Sequence, residues 1–260
     1  MPAIRINNID LGYDTFGSGR QTLLLLHGGL LSRRQWQQQV YPFSSRFQVI
    51  TCDLRGHGQS GKSEGTYAMP LFADDVSKLI AALGLDQVVV CGHSFGGMVA
   101  QELALMYPDQ VSALILAETN YGPSAGLGET LTALMGWWAL ALTSVERRAQ
   151  ISADRHGHYN PDAAQYLLME INQHARDKAN YLNIFRASIS FNSKPRLKYL
   201  ECPTLLLLGE FHPQSHKPAQ AMERLIKHAQ LHVVPNAGYL LNWDAPDTFN
   251  RMVLEFLEQL

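Results

Sequence analysis

Two periodicities alternate along the chain. Short runs in which nearly every residue is apolar, at 22–26, 47–52, 87–91, 113–117, 204–208 and 231–234, show no inside/outside alternation. They predict strands of a parallel sheet covered on both faces. Between several of them, apolar residues recur at three- and four-residue spacing. Segments 69–83 and 97–106 read as helices of this kind, stopped by Leu83-Gly84 and by Tyr107-Pro108. Residues 4–14 read as a hairpin-like pair ahead of the parallel core. From 121 to 195 the pattern changes: 127–142, 145–155, 161–174 and 178–189 have helical period with no strand between them. Such a segment, inserted between core parts 1–120 and 196–260, is expected to cap the C-terminal edge of the sheet, where ligands of open α/β sheets bind.

Composition narrows the picture. A chain of 260 residues with 46% hydrophobic and 17% charged residues can bury a large core, and α/β folds of this size often form one domain. A formal net charge of -2 leaves no footprint for nucleic acid or an anionic membrane. Cys52, Cys91 and Cys202 are widely spaced, two of them in apolar strand-like runs, which fits reduced, buried thiols. The opening Met1-Pro2-Ala3-Ile4-Arg5 has no secretory pattern and no apolar run is long enough to span a bilayer, so a cytoplasmic protein is expected.

The chemistry is concentrated in three ordered motifs. His27-Gly28-Gly29 follows the first apolar run, Asp53-Leu54-Arg55-Gly56-His57-Gly58-Gln59-Ser60 the second, and Gly92-His93-Ser94-Phe95-Gly96 the third. One G-x-S-x-G recurs by chance, whereas three in this order are specific. Over nearly its whole length the chain resembles the capped α/β-hydrolase family: a mostly parallel central sheet flanked by helices, with a helical cap insertion. The resemblance implies that Ser94 is a nucleophile on a cramped strand-to-helix turn. By motif position it makes the backbone N–H groups of Gly29 and Phe95 the oxyanion donors. The glycines themselves certify only the backbone path, and His27, His57 and His93 read as packed histidines. Ser94 is different, because alanine or glycine would satisfy the same turn.

Two positions depart from the family pattern. After the 204–208 strand the usual acid slot holds His212, in Gly209-Glu210-Phe211-His212. After the 231–234 strand the usual base slot holds Tyr239, in Asn236-Ala237-Gly238-Tyr239-Leu240-Leu241. A phenol, with a reference pKa of about 10, is protonated near neutrality and cannot simply replace an imidazole. Three readings follow. In the first, Ser94 attacks a small apolar ester, thioester or lactone, His212 takes its proton, and Glu118, at the end of the 113–117 strand, orients that imidazole. In the second, Ser94 and Tyr239 polarise a carbonyl without forming an acyl-enzyme, in lyase- or isomerase-type chemistry. In the third, the capped pocket only binds a ligand. None of the three implies a metal, nucleotide or organic cofactor, and the partner expected in each is a small apolar carbonyl compound. The stretch around Leu134, Trp137 and Trp138 is apolar on almost every face, which predicts burial in the core, at a pocket or across a homodimer contact. His156 and His158 read as a solvated helix end, not a metal pair.

Overall fold

The structure, a computed structural model, describes residues 2–122, 142–157, 159–174 and 176–260. Its centre is an eight-stranded sheet built from β1 (Ala3–Ile6), β2 (Ile9–Phe16), β3 (Thr22–Leu26), β4 (Gln48–Cys52), β5 (Val88–His93), β6 (Val111–Ala117), β7 (Thr204–Gly209) and β8 (Ala229–Val234). They lie in the order β1-β2-β4-β3-β5-β6-β7-β8. β1 and β2 pair antiparallel, β2 joins β4 antiparallel, and every later pairing is parallel.

The apolar runs are strands within two residues of their predicted bounds, and the reason lies in how they are covered. On one face Leu24, Leu26, Val88 and Val90 pack with Phe72, Val76 and Val99, from helices α2 (Met69–Ala82) and α3 (Phe95–Met106). On the other, Leu23, Leu25, Val89 and Cys91 pack with Phe43, Phe249 and Val253, from α1 (Gln37–Ser44) and a C-terminal helix, Pro246–Leu257. Alternate residues thus meet different helices, and both sets must be apolar. β8 departs from this expectation. It lies at the sheet edge with one side unpaired, and its residues are largely exposed up to Val234.

Three cap helices coincide with the predicted segments within one residue: α4 (Val145–His156), α5 (Pro161–His174) and α6 (Lys178–Ile189). Ser144 and Asp177 cap two of them, accepting hydrogen bonds from the Arg147 and Asn180 N–H groups, as short polar N-cap residues do. The helix expected over 127–142, with Trp137 and Trp138, lies outside the described residues except for Leu142. After the cap come α7 (His216–Leu225), α8 (Leu241–Asp244) and α9, the C-terminal helix already described. No helix among the described residues is long and apolar enough to cross a membrane.

The cap is fastened to the core by specific contacts. Tyr166 stacks on Trp243 with centroids 4.5 Å apart, Asn160 donates to the Trp243 carbonyl at 2.8 Å, and Asn180 donates to the Gly56 carbonyl at 2.7 Å. The Asp53–Ser60 motif is the platform for this docking. Asp53 accepts from the Arg33 N–H at 2.7 Å and the Gln59 N–H at 2.9 Å, and pairs with the Arg33 guanidinium. Arg55, fully buried, grips Asp75 through two hydrogen bonds of 2.7 and 2.6 Å. Removing one member of such a pair leaves an uncompensated buried charge. Asp75→Ala is therefore expected to lower stability by about 3–5 kcal/mol, read from urea unfolding; a loss below about 1 kcal/mol would show that Arg55 does not depend on this partner.

Candidate active site

The turn from β5 into α3 places Ser94 at φ 49° and ψ -110°, a left-handed conformation that a serine keeps only when its surroundings enforce it. They do so through three hydrogen bonds. The Ser94 N–H donates to the Ala117 carbonyl at 2.9 Å, and the Ser94 carbonyl accepts from Thr119 Oγ1 at 2.7 Å and the Met98 N–H at 3.1 Å. A Cβ on Gly92 would strike the Gly96 backbone, and one on Gly96 the carbonyls of Leu26 and His27. The flanking glycines are thus required by space alone, while the serine is not.

Gly29 and Phe95 border the same cavity as Ser94 and Tyr239, a space of about 260 Å³ closed on its cap side by Ile184 and Phe185 and elsewhere by Leu30 and Met98. Phe95 is the first residue of α3, so its N–H has no partner within the helix and carries the positive end of the dipole. Gly29 lies against it: a Cβ there would sit 3.4 Å from that of Phe95. The loop carrying Gly29 is anchored by His27, whose Nδ1 lies 2.8 Å from the Gly28 carbonyl while its Nε2 accepts from the Leu54 N–H at 3.0 Å. His27 is thus a packed, neutral histidine with both nitrogens used.

Tyr239 meets the serine directly. Its Oη donates to Ser94 Oγ at 2.5 Å. The backbone behind it is tied to the elbow, because His93 Nε2 lies 2.9 Å from the Tyr239 carbonyl, which can only accept. The Gly238 N–H donates to Asp244 at 2.9 Å. Burial pushes the Tyr239 phenol up to about 12; its bond to Ser94 pulls the other way and the Glu118 charge pushes further up. The phenol therefore sits beside the serine in its neutral form.

His212 and Glu118 come together as well. His212 Nδ1 lies 2.7 Å from Glu118 Oε2, and the other carboxylate oxygen accepts from the Gly209 N–H at 2.5 Å. Glu118 is buried and takes φ 46° to reach this position. A carboxylate can only accept, so Nδ1 donates and Nε2 is the ring nitrogen left for another partner. One expected contact is replaced. Among the described residues no imidazole is hydrogen-bonded to Ser94 Oγ; its partner is Tyr239, and the His212 ring lies edge-on to the Tyr239 ring at 5.3 Å.

His156 corrects the sequence reading. It is not on a solvated helix end: its ring covers that of Tyr239 at 4.3 Å and faces His212 at 5.8 Å, because the C-terminus of α4 is laid across the elbow. His158 lies outside the described residues. Neither His156 nor the tie from His93 to Tyr239 left a signal in the sequence, since both depend on where the cap and the β8 loop come to rest.

Several of these imidazoles are held neutral by the fold. Burial is the main cause at each: His27, His93 and His156 are lowered to about 4, and His57 further below its ordinary range. Unfolded histidine takes a proton near 6.5, so below that pH the unfolded chain binds more protons than the folded one. The stability these groups contribute is complete above 6.5 and lost as pH falls towards 4. Asp244, pushed up to about 6 by burial, and Glu170, also raised by burial, act in the opposite sense, but the imidazoles are more numerous. The urea midpoint is expected to fall between pH 6.5 and 4.5; a level midpoint across that window contradicts this account.

Comparison with known proteins adds four findings. A family model described as alpha/beta hydrolase fold matches residues 21–246. The chain is 28% identical over 257 residues to 3-oxoadipate enol-lactonase 2 of Acinetobacter baylyi, covering 95% of this chain and 92% of that protein. Among solved structures, a thermophilic esterase from Thermogutta terrifontis superposes with a TM-score of 0.87 at 28% identity, over 99% of this chain and 98% of the other. An N-acyl homoserine lactone degrading enzyme superposes with a TM-score of 0.79 at 26% identity, over 98% and 100%.

Proposed function

The chain belongs to the α/β-hydrolase fold family, and on that footing we propose that it hydrolyses small, largely apolar ester, thioester or lactone bonds at Ser94, with the His212–Glu118 pair as final proton acceptor. The observation that carries this reading is the 2.7 Å contact between His212 and Glu118. It supplies an oriented imidazole edge-on to Tyr239, the phenol that stands beside Ser94 where a base would be expected. The relatives named as an enol-lactonase, an esterase and a lactone-degrading enzyme support the choice of an acyl–oxygen bond.

Tyr239 then acts as a bridge. A phenol titrating near 12 is ionised to about one part in 10⁵ at pH 7, so forming phenolate first would cost roughly 7 kcal/mol. A relay removes that requirement. The hydroxyls first reverse direction, the phenolic O–H turning from Ser94 Oγ towards His212 Nε2 so that Ser94 donates to Tyr239 Oη; Ser94 Oγ then bonds to the carbonyl carbon as its proton moves to Tyr239 Oη and the phenolic proton moves to His212 Nε2. The phenol ends neutral and the imidazolium is paired with Glu118. The carbonyl oxygen, now negative, is held by the Gly29 and Phe95 N–H groups. Collapse expels the alcohol or thiol, which takes the proton back from His212, and water repeats the sequence to release the acid.

A second reading rests on the direction of one bond. With Tyr239 donating to Ser94 Oγ, the phenolic proton is engaged and the Ser94 O–H is left to donate to a ligand's carbonyl, which suits binding or non-hydrolytic chemistry. The two readings separate under a fluorophosphonate probe with p-nitrophenyl butyrate as substrate. Hydrolysis requires Ser94 to be labelled, and both His212→Ala and Tyr239→Phe to lower kcat/KM by about 10²–10⁴-fold, with the double variant no worse than either single one. A folded protein that leaves Ser94 unlabelled, or labels equally well after His212→Ala, belongs to the second reading.

A further inference from the structure

The loop that carries Gly29 breaks a local rule at its next residue. Leu30 is the third residue of a turn closed by the Leu31 N–H, which donates to the Gly28 carbonyl at 3.2 Å, and it takes φ 63°. That place in a turn, with φ positive, ordinarily holds glycine or asparagine, because a bulky side chain is crowded there. A leucine persists in such a conformation only where surrounding contacts hold it. Its side chain packs both against the core cluster that contains Phe95 and Met98 and against the cap cluster that contains Ile171 and Tyr181. It stands where the sheet domain and the cap meet.

Beside the serine cavity of about 260 Å³ lies a second of about 420 Å³, and Leu30, Tyr181 and Phe185 line both, so these three side chains lie between them. Tyr181 is pinned. It is buried, the Arg148 guanidinium carbon sits 4.5 Å from its ring centroid, and its hydroxyl shares a hydrogen bond with the same group. Leu30 and Phe185 are only half-buried. The buried charge in the wall of the second cavity is already engaged: besides Tyr181, Arg148 meets the Thr143 carbonyl, to which Nε donates at 2.9 Å and Nη2 donates as well. Arg155, also at that wall, is exposed. The apolar surface offered to a ligand comes from Leu30, Ile151, Ile171 and Phe185, which suits a neutral hydrocarbon chain. We propose that Leu30 and Phe185 form a partition that sets the chain length accepted at Ser94: a short unbranched chain is held within the serine cavity, and a longer one enters the second cavity only where the partition is cut back.

The partition deepens the hydrolase reading and rests on it for its turnover arm. With p-nitrophenyl butanoate and octanoate as substrates, the parent protein is expected to prefer the shorter ester in kcat/KM. Phe185→Ala and Leu30→Gly, the latter suited to the left-handed backbone, each remove one side of the wall. Each is expected to raise the octanoate-to-butanoate ratio by about 10- to 100-fold, since every one of roughly two or three newly buried methylenes contributes about fourfold. Phe185→Trp is expected to lower the ratio, a change of sign that loss of packing alone does not produce. A parent preference for octanoate, or a ratio that neither Phe185→Ala nor Leu30→Gly raises, overturns the partition. Binding supplies an arm independent of turnover. Butanamide and octanamide are titrated calorimetrically into the Ser94→Ala protein and into the double variant that also carries Phe185→Ala, and octanamide is expected to gain by a similar factor in the second. Hydrolysis of both esters with an unmoved ratio leaves the hydrolase reading and removes the partition. A gain for octanamide on Phe185→Ala in a protein that cleaves neither ester leaves the partition and removes the hydrolase reading.

Discussion

The hydrogen bond between Ser94 and Tyr239 governs everything the site can do. A serine hydroxyl at neutral pH needs an acceptor for its proton, and here the atom in the acceptor's place is a buried phenol held 2.5 Å away. Burial keeps that phenol protonated, so it cannot be the terminal base. In the proposed mechanism the burden shifts one residue outward, to His212, whose Nδ1 lies 2.7 Å from Glu118. In that proposal the buried phenol serves as a conduit, held against Ser94 Oγ.

The fold maintains this arrangement by tying loops that are distant in sequence. Gly209, at the end of β7, donates to Glu118 at the end of β6. The Phe211 N–H donates to the Ala237 carbonyl at 2.9 Å, joining the loop of His212 to the loop of Tyr239. His93 then joins Tyr239 to the elbow itself. Two backbone conformations with positive φ, at Ser94 and Glu118, are stored within this network, as expected where surrounding contacts over-determine a functional residue. Helices α4 and α6 border the assembly, with His156 on Tyr239 and Tyr181, Ile184, Phe185 and Ser188 of α6 lining the cavity that holds Ser94.

Much of this was legible beforehand. Strands covered on both faces must be apolar throughout, so β3, β5 and β7 announced themselves; β8 misled because an edge strand can carry an apolar run without full burial. The elbow could be read from Gly92, Ser94 and Gly96, since steric demands there are local. The candidate partners Glu118, His212 and Tyr239 could be named from their places after three strands. Their mutual geometry was not legible. The expected seat of His212 at Ser94 is taken by Tyr239, and that depends on angstrom-scale packing among three loops and a cap. Arg148 lay deeper still, for an arginine on a helix reads as a solvated residue until its burial is seen.

The sequence by itself thus determined the sheet, the elbow, the cap's three described helices and the identities of the groups gathered near the serine, because each follows from local periodicity, turn sterics or position after a strand. Only the tertiary structure decided that the phenol, not the imidazole, touches Ser94, that His156 lies over it, and that Arg148 is buried beside an open cavity. Those facts arise from contacts between residues tens to more than a hundred positions apart, where side-chain reach and burial are properties of the packed whole and no local pattern encodes them.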